Sequence, residues 1–318
     1  MNNFWKDLAS RGKIVALAPM DGYTDSAYRQ IVKKINPEVI CFSEFFSADG
    51  IVHSKFLANS VLPHHITEKP LIIQIFGKDP EIFRKAAIII ESYGVAGIDV
   101  NMGCPAKKVV QSGHGSSLMI NVDTAYRIIE EMAKAVKIPI SVKTRLGYAD
   151  TDNLIPFAKG LENAGAQLIT VHGRTFKQAF TGQADWSMIY ELKKNLGIPV
   201  IGNGDVVDFD DGMNKVENLD GFMIGRKSFG NPWCFLPGKI EPTLGQKLDT
   251  MKEHAKLLIE LKGRKGCLEA RKHLAQYLHS FPGVKHYRGE LVRVESFENV
   301  EKVLEEIRND FKDGKVLI

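Results

Sequence analysis

The cysteine at position 104 follows a segment whose residue types favour a β-strand. Residues 97–106 read Gly-Ile-Asp-Val-Asn-Met-Gly-Cys-Pro-Ala. Gly103 permits an unusual backbone angle, while Pro105 fixes its own φ and biases Cys104 away from the helical region. The pattern predicts a strand that stops at a stiff turn and presents a thiol, a candidate catalytic group. Free cysteines are also among the most buried residue types, so the rest of the sequence must decide between catalysis and packing.

Seven other short apolar segments also end on polar residues or glycines. If all eight are parallel strands of a barrel, their ends meet at one face, where such folds place their catalytic groups. A rim that is merely exposed to solvent does not require a polar residue at every strand end. Eight polar strand ends in register therefore predict a ring of side chains around one site. The ends are Pro19-Met20-Asp21, Ser43-Glu44, Gln74, Asn101-Met-Gly-Cys104, Lys143-Thr-Arg145, His172-Gly-Arg174, Gly202-Asn203-Gly204-Asp205 and Gly225-Arg226.

The last two strand ends have the composition of a phosphate site. Barrels frequently bind phosphate with the loops after strands seven and eight, where glycines let backbone N–H groups approach the ligand. Arg226 would add a charge-assisted hydrogen bond. Lys143, in the middle of the ring, could form a Schiff base or stabilise negative charge on a bound group, unless it is a surface lysine. His172 could be a ligand-binding or a core histidine.

The elements that position these residues alternate between β and α patterns from residue 14 to residue 227. Near-continuous apolar strands covered on both faces predict a (β/α)8 TIM barrel, with a doubly wound open sheet as the alternative. Helices are predicted between the strands, for example from Pro80 to Tyr93 and from Asp123 to Val136. The eight predicted strands are Ile14 to Met20, Val39 to Glu44, Pro70 to Phe76, Gly97 to Met102, Ile138 to Thr144, Leu168 to Gly173, Ile198 to Gly204 and Gly221 to Arg226.

The C-terminal part of the chain has a different character. Apolar residues at spacings of three and four predict a small all-helical domain, with helices at Lys247 to Leu261, Cys267 to His279 and Ser296 to Lys312. We therefore predict a barrel domain in residues 1–240 and a helical domain in residues 241–318. Between positions 262 and 293, eight Lys or Arg residues and two Glu residues give a net charge of +6, with aromatic residues and histidines interleaved. This composition suits contact with nucleic acid, although a charge run can also be a solvated surface.

Composition narrows the class of protein further. The chain has 318 residues, 44% hydrophobic and 25% charged, and no apolar run approaches the length of a membrane helix. The N-terminus lacks the apolar core of a signal peptide, which leads us to expect a cytoplasmic protein without a membrane partner. The four cysteines show neither zinc-site spacing nor disulfide density, so we expect reduced thiols and no metal. Nothing in the sequence demands more than a monomer.

The ordered set of strand-end motifs closely resembles that of the bacterial tRNA-dihydrouridine synthases, and the resemblance favours the B subfamily. Single motifs occur in other FMN barrels, but the whole set is specific, and the resemblance covers nearly the entire chain. Residues 271–278, in the helical tail formed by the predicted domain 241–318, are similar to the helical domain of that family. The motifs are Pro19-Met20, Ser43-Glu44, Gln74, Asn101-Met-Gly-Cys-Pro-Ala106, Lys143-Thr-Arg-Leu-Gly147, Val171-His-Gly-Arg-Thr175, Gly202-Asn-Gly-Asp205 and Ile224-Gly-Arg226.

The resemblance implies an FMN enzyme that uses NADPH to reduce the C5=C6 bond of particular uridines in tRNA. It implies hydride transfer from reduced flavin to C6 and a proton from Cys104 to C5. A thiol with the reference pKa of about 8.5 is mostly protonated at neutral pH, as an acid should be. Asn101 and Arg145 match positions that hold the uracil. Positions matching the cofactor site are Pro19, Met20, Asp21, Gln74, Lys143, His172, Asn203, Gly204, Asp205, Gly225 and Arg226, with Gln74 at the pyrimidine edge, Lys143 against the ring and the last five residues at the phosphate.

Departures from the family pattern and two competing functions remain. Asp21, Tyr23 and His114 differ from the residues common in relatives, so their roles stay open. A dihydroorotate dehydrogenase-like flavoenzyme would also run pyrimidine redox chemistry, but it has no need of a basic tail. An inactive RNA-binding relative would have no need to retain Cys104, Lys143, His172 and Arg226 together.

Overall fold

The computed structural model describes residues 4–104, 115–278 and 285–312. His114 and His279, which the sequence analysis singled out, lie outside the described residues, as do Pro105 and Ala106. Eight parallel strands pair in chain order, and β1 also pairs with β8, which closes the barrel and confirms the predicted fold class. The strands are β1 (Ile14–Leu17), β2 (Ile40–Ser47), β3 (Leu71–Phe76), β4 (Gly97–Asn101), β5 (Ile140–Arg145), β6 (Leu168–His172), β7 (Val200–Asn203) and β8 (Gly221–Ile224).

Helices follow the strands and cover the outside of the barrel. Several begin where a side chain can cap the first turn; Asp79, for example, accepts hydrogen bonds from the backbone N–H groups of Glu81 and Ile82. Among the described residues, no helix is both long enough and apolar enough to cross a bilayer. The helices are α1 (Phe4–Arg11), α2 (Ser26–Ile35), α3 (Ala48–His53), α4 (Lys55–Val61), α5 (Pro80–Glu91), α6 (Val122–Ala135), α7 (Leu154–Asn163), α8 (Ser187–Lys194), α9 (Phe209–Lys215), α10 (Leu244–Lys262), α11 (Arg264–Tyr277), α12 (Lys285–Leu291) and α13 (Phe297–Lys312).

Strand β2 is longer than the sequence pattern predicts because it contains a bulge. Phe42 pairs with Ile72, but Phe45 pairs with Gln74, so β2 has one residue more than β3 between these two pairs. The hydroxyl of Ser43 accepts a hydrogen bond from the backbone N–H of Gln74 at 3.0 Å. An extra residue bends a strand while the ladder continues beyond it, and β2 here runs on to Ser47.

The barrel interior is packed at its N-terminal end and opens at the other end. Trp5 of α1 is wholly buried there, and its ring lies 6.2 Å from that of Phe42 between nearly parallel planes. Alternate residues of β1, Ile14 and Ala16, belong to the same interior cluster. Since strand side chains alternate between faces, one residue in two points into the barrel. The polar strand ends follow beyond this packed layer, at the C-terminal ends of the strands.

The helical tail packs on α2 and on the segment after β8. Its apolar cluster takes in Ala27 of α2 and Trp233, both of which belong to the barrel part of the chain. An ion pair crosses the same contact: Lys262 Nζ lies 2.7 Å from Asp25 Oδ2, and Asp25 is almost fully buried. The tail is thus fixed to the barrel wall, while the division into domains 1–240 and 241–318 stays a prediction.

One buried ion pair makes a testable contribution to stability. Arg29 Nη2 lies 2.6 Å from Glu68 Oε2, with 3% and 0% of the two side chains exposed. Glu68 also accepts hydrogen bonds from Ser26 Oγ and the backbone N–H of His65. Removing one partner leaves an unpaired buried charge, so Glu68→Ala is expected to lower the free energy of unfolding by about 3–5 kcal/mol. Urea unfolding measures this difference, and a loss within about 1 kcal/mol, as at an exposed pair, would contradict it; the exposed Glu130→Ala is the control.

Candidate active site

A cavity of about 920 Å³ lies at the C-terminal ends of the barrel strands. Twelve of the fourteen site residues predicted from the sequence line it, which supports the prediction of a single site. They are Pro19, Met20, Asn101, Cys104, Lys143, Arg145, His172, Asn203, Gly204, Asp205, Gly225 and Arg226. The remaining two, Asp21 and Gln74, are not among the lining residues: Asp21 is exposed, and Gln74 is wholly buried inside the barrel.

Cys104 is half-buried at the cavity wall, in a turn held by hydrogen bonds. Its backbone N–H donates to Asn101 Oδ1 at 2.9 Å, and the N–H of Gly103 donates to the same oxygen at 3.1 Å. Ser116 Oγ donates to the Cys104 carbonyl at 2.7 Å. A Cβ added at Gly103 would lie 3.2 Å from the backbone carbonyl carbon of Thr144, which accounts for glycine there. The turn therefore holds the thiol-bearing residue in place. Gly103 is not among the residues with a positive φ, so the close approach of Thr144, and not the unusual backbone angle expected from the sequence, is the reason for a glycine there.

Lys143 reaches the cavity from β5 and is oriented by an amide. Its Nζ donates to Asn203 Oδ1 at 3.0 Å, and Asn203 Nδ2 donates to the carbonyl of Met223 at 2.9 Å. Burial lowers the pKa of Lys143 to about 8, and the nearby positive charge of Arg145 acts in the same direction. The side chain is thus a cation below about pH 8, aimed at whatever the cavity binds.

His172 at the end of β6 carries a buried nitrogen without a partner among the described residues. Its Nδ1 makes no hydrogen bond there, although the side chain is only 8% exposed. Desolvation lowers the pKa of His172 to about 2, and the positive charges of Lys143 and Arg145 act in the same direction. The ring is therefore neutral across the physiological pH range. It can form a hydrogen bond with a ligand, but not an ion pair.

The glycine-rich ends of β7 and β8 form a close-fitting corner of the cavity. Gly204 has a φ of +120°, and an added Cβ would lie 2.7 Å from Ala184 Cβ. Asp205 beside it accepts hydrogen bonds from Arg174 Nη2 at 2.6 Å and from the N–H of Ala184 at 2.8 Å. Arg226 lines the cavity, with its guanidinium carbon 4.6 Å from the centre of the Phe180 ring. Arg226 and the closely packed backbone at Gly204 thus both lie at the part of the cavity where the sequence predicts a phosphate-binding site.

Arg145 ties two loops of the site together. Its Nε donates to the Gly103 carbonyl at 2.7 Å, and its Nη1 donates to the Thr175 and Ala179 carbonyls at 3.2 and 2.8 Å. Three bonds to carbonyls hold the guanidinium between the Cys104 turn and the loop after β6. The predicted contact of Arg145 with a uracil stays a prediction.

A family profile described as "Dihydrouridine synthase (Dus)" matches residues 16–313 of the chain. The chain belongs to this family. The match confirms the resemblance to tRNA-dihydrouridine synthases and, with it, the expectation of an enzyme of that kind.

Two named relatives of this chain align with it over most of their own length and most of its length. "Probable tRNA-dihydrouridine synthase 1" of Synechocystis sp. is 37% identical over 306 residues, 92% of this chain and 85% of the relative. "tRNA-dihydrouridine synthase B" of Pasteurella multocida is 35% identical, over 90% and 93% of the two chains. A solved structure, a variant of NCR from Zymomonas mobilis, matches 69% of this chain and 83% of its own with a TM-score of 0.50 and 15% identity, a likeness of fold.

Several residues around the site of this dihydrouridine synthase were not predicted from the sequence. Asp99 is wholly buried two residues before Asn101, and an acidic residue inside an apolar strand was the available signal. Phe180 and Lys227 also line the cavity, but their loops show no pattern that would have marked them. Within the described residues, no cluster of His, Cys, Asp or Glu is suited to hold a metal ion.

Proposed function

We propose that the chain binds FMN in this cavity and, with NADPH as reductant, reduces the C5=C6 bond of particular tRNA uridines to dihydrouridine. The observation that carries the proposal is the convergence of Cys104, Lys143 and His172 on one cavity in a member of this family. A proton donor, a cation and a neutral hydrogen-bonding ring are the groups that such a reduction requires around a flavin.

The residues present fit FMN. His172 Nδ1 is a buried polar atom with no hydrogen-bond partner in the part of the chain that the structure describes, and a ligand would supply the missing hydrogen bond. Gly204 and Gly225 line the cavity with their backbone, and position 204 admits no side chain because an added Cβ would lie 2.7 Å from Ala184 Cβ. Arg226 and the backbone of Gly225 would hold the phosphate, with Asn203, Gly204 and Asp205 beside them. Pro19 and Met20 also line the cavity, which suits backbone contacts with the flavin ring.

In the proposed reaction, bound FMN supplies the hydride for C6. Cys104 holds the proton that C5 requires, and its turn keeps the thiol at the cavity wall. Lys143 holds its ammonium group toward the ring, where positive charge favours a reduced, anionic cofactor. Asn101 and Arg145 orient the uracil. The target uridine must leave the stack of the tRNA to enter a cavity of this kind.

The basic helical tail is the proposed tRNA-binding surface, and the structure separates two kinds of basic residue in it. Arg271 donates to the carbonyls of Val294 and Arg293 at 2.7 and 3.3 Å, while Lys272 Nζ lies 5.0 Å from the centre of the Tyr23 ring. A charge reversal at either residue would disturb packing as well as charge. Other basic residues are exposed and therefore suited to phosphate contact: Arg264, Lys265, Lys285 and Arg293.

The double variant Arg264→Glu/Lys285→Glu is expected to weaken tRNA binding at least about tenfold at low salt, because two attractive interactions with phosphates become repulsive. The slope of log affinity against log salt should fall by about one for each phosphate that the variant no longer neutralises. Filter binding across a salt series measures both quantities. Lys134→Glu/Lys159→Glu makes the same charge change on α6 and α7 of the barrel; equal weakening by that control would contradict a role for the tail.

Flavin behaviour separates this function from its alternatives. A yellow purified protein that bleaches with NADPH argues against a non-catalytic RNA-binding relative. Dihydrouridine formed in tRNA, with no turnover of free dihydroorotate, argues against a dihydroorotate dehydrogenase-like enzyme. A colourless protein that gains no colour from added FMN would overturn the proposed function. Since tRNA is modified in the cytoplasm, we expect the enzyme there.

A further inference from the structure

A chain of buried side-chain hydrogen bonds runs from the barrel interior to the backbone of Cys104. Asp99 Oδ2 accepts from Gln74 Nε2 at 2.7 Å, and Gln74 Oε1 accepts from Asn101 Nδ2 at 2.9 Å. Asn101 Oδ1 then accepts the N–H groups of Gly103 and Cys104. Asp99 and Gln74 are wholly buried, and neither lines the cavity.

The carboxylate gives this chain of hydrogen bonds its direction. An amide can turn over and exchange its donor and acceptor ends, whereas an ionised carboxylate only accepts. Asp99 therefore selects the orientation in which Gln74 presents its carbonyl to Asn101. Asn101 in turn presents its own carbonyl to the Cys104 turn. If the Asn101 amide were reversed, an NH₂ group would face the two backbone N–H donors, and both hydrogen bonds would be lost.

The barrel fixes the members of the chain by register. Asp99 of β4 lies opposite Gln74 of β3 on one side and Ser141 of β5 on the other. Ser141 Oγ donates to the second carboxylate oxygen, Oδ1, at 2.6 Å. Burial raises the pKa of Asp99 to about 6, while the hydrogen bonds from Ser141 and Gln74 and the charge of Lys143 favour the ionised form. At neutral pH the carboxylate is therefore mostly ionised. Burying a carboxyl is costly, so packing alone gives no reason for one here.

We propose that Asp99 is a positioning residue for the reaction, acting through Gln74 and Asn101 to hold the backbone of Cys104 in the orientation that delivers its proton. This inference rests on the proposed function, in which Cys104 is the proton donor. It assigns Asp99 no contact with substrate or cofactor.

The test compares three variants of the FMN-loaded protein in two half-reactions. Asp99→Leu removes the acceptor, Asp99→Asn keeps an acceptor but also introduces an amide that can turn, and Ser141→Ala removes only the other hydrogen bond to Asp99. Flavin content should stay within about twofold of wild type in all three, because no residue that lines the cavity changes. The Asp99 charge raises the pKa of Lys143, so bleaching by NADPH is compared below the alkaline midpoint of each variant, where it should also stay within about twofold. Uridine reduction in single turnover should fall about 100-fold in Asp99→Leu, about tenfold in Asp99→Asn and within about twofold in Ser141→Ala.

A double-variant comparison separates positioning of Cys104 from a general defect. In a Cys104→Ala background, Asp99→Asn should change the residual rate of uridine reduction by less than about twofold, because the group that Asp99 positions is gone. Alkylation of Cys104 by iodoacetamide in the holoenzyme gives a readout independent of turnover. Because the turn loses fixed hydrogen bonds, the reaction should be at least about threefold faster in Asp99→Asn than in Ser141→Ala. The other cysteines, 41, 234 and 267, are buried and serve as internal references.

The failures of the two proposals are distinguishable. If wild type forms dihydrouridine, Cys104→Ala does not, and Asp99→Asn matches Ser141→Ala in both rate and alkylation, the inference about Asp99 is wrong and the proposed function stands. The inference also fails if Asp99→Asn slows the residual reaction as much in the Cys104→Ala background as it slows wild type. If wild type forms no dihydrouridine, the proposed function itself fails. Should Asp99→Leu not fold, Asp99→Asn alone carries the test.

Discussion

Replacing Cys104 with alanine is expected to slow dihydrouridine formation by about 10²- to 10⁴-fold, the usual contribution of a positioned general acid. The reason is structural as well as chemical. Cys104 is the cysteine that the structure places at the cavity wall, in a turn whose N–H groups are held by Asn101. A water molecule that supplied the proton in the variant would not be held in such a fixed position. Single-turnover assays with pre-reduced protein and unmodified tRNA measure the step directly.

The same variant should retain flavin binding and bleaching by NADPH, because Asn101 and the cofactor-facing residues are unchanged. Cys267→Ala is the matched control: that thiol is buried in the helical tail and should be replaceable with little effect on turnover. A Cys104→Ala protein that reduces uridine within about tenfold of the wild-type rate would exclude Cys104 as the main proton donor.

Lys143→Met is expected to slow reduction of the flavin by NADPH by about 100-fold while the variant remains folded. Methionine approximates the length and bulk of the lysine stem but supplies no positive charge. A fixed cation in a water-poor site stabilises developing negative charge by about 2.7–4 kcal/mol, and the lower end of this range corresponds to a 100-fold loss of rate. Stopped-flow absorbance of the flavin measures the rate, and the exposed Lys159→Met is the control.

The pH dependence of this step carries a second signature of Lys143. Burial lowers the pKa of the amine to about 8 in the free cavity, so the cation is present below that pH and is lost as the pH rises through it. A bound anionic group raises the pKa of a neighbouring amine. The rate should therefore fall on the alkaline side, with a midpoint at or above about pH 8. The Lys143→Met protein should lack that decline; the same decline in both proteins would remove Lys143 from its assigned role.

The barrel and most of the site could be predicted from the sequence because both depend on local patterns. Strands appear as short apolar segments, and a closed parallel barrel brings all their ends together at one face. Lys143 and His172 could thus be assigned to one site without knowledge of any contact between them. The B-type relative is consistent with the suggested subfamily.

What the sequence did not reveal depends on contacts between distant residues. The expected contact of Gln74 with the flavin stays a prediction. The sequence did not reveal that the two ends of its amide are bonded to Asp99 and Asn101, because only the register of β3 with β4 determines this. The sequence alone does not distinguish Arg271 from the other basic residues of the tail. In the structure it binds carbonyls more than twenty residues away. The length of β2 depends on a bulge against β3, which no property of the β2 sequence alone specifies.

Reduction of tRNA uridines by this protein can be tested by mapping dihydrouridine, position by position, in unmodified tRNA incubated with the purified protein, FMN and NADPH, beside Cys104→Ala. We predict new dihydrouridine at discrete positions with the wild-type protein and almost none with the variant. A yellow protein that oxidises NADPH but leaves every uridine intact would contradict the assignment and favour a small pyrimidine as the substrate.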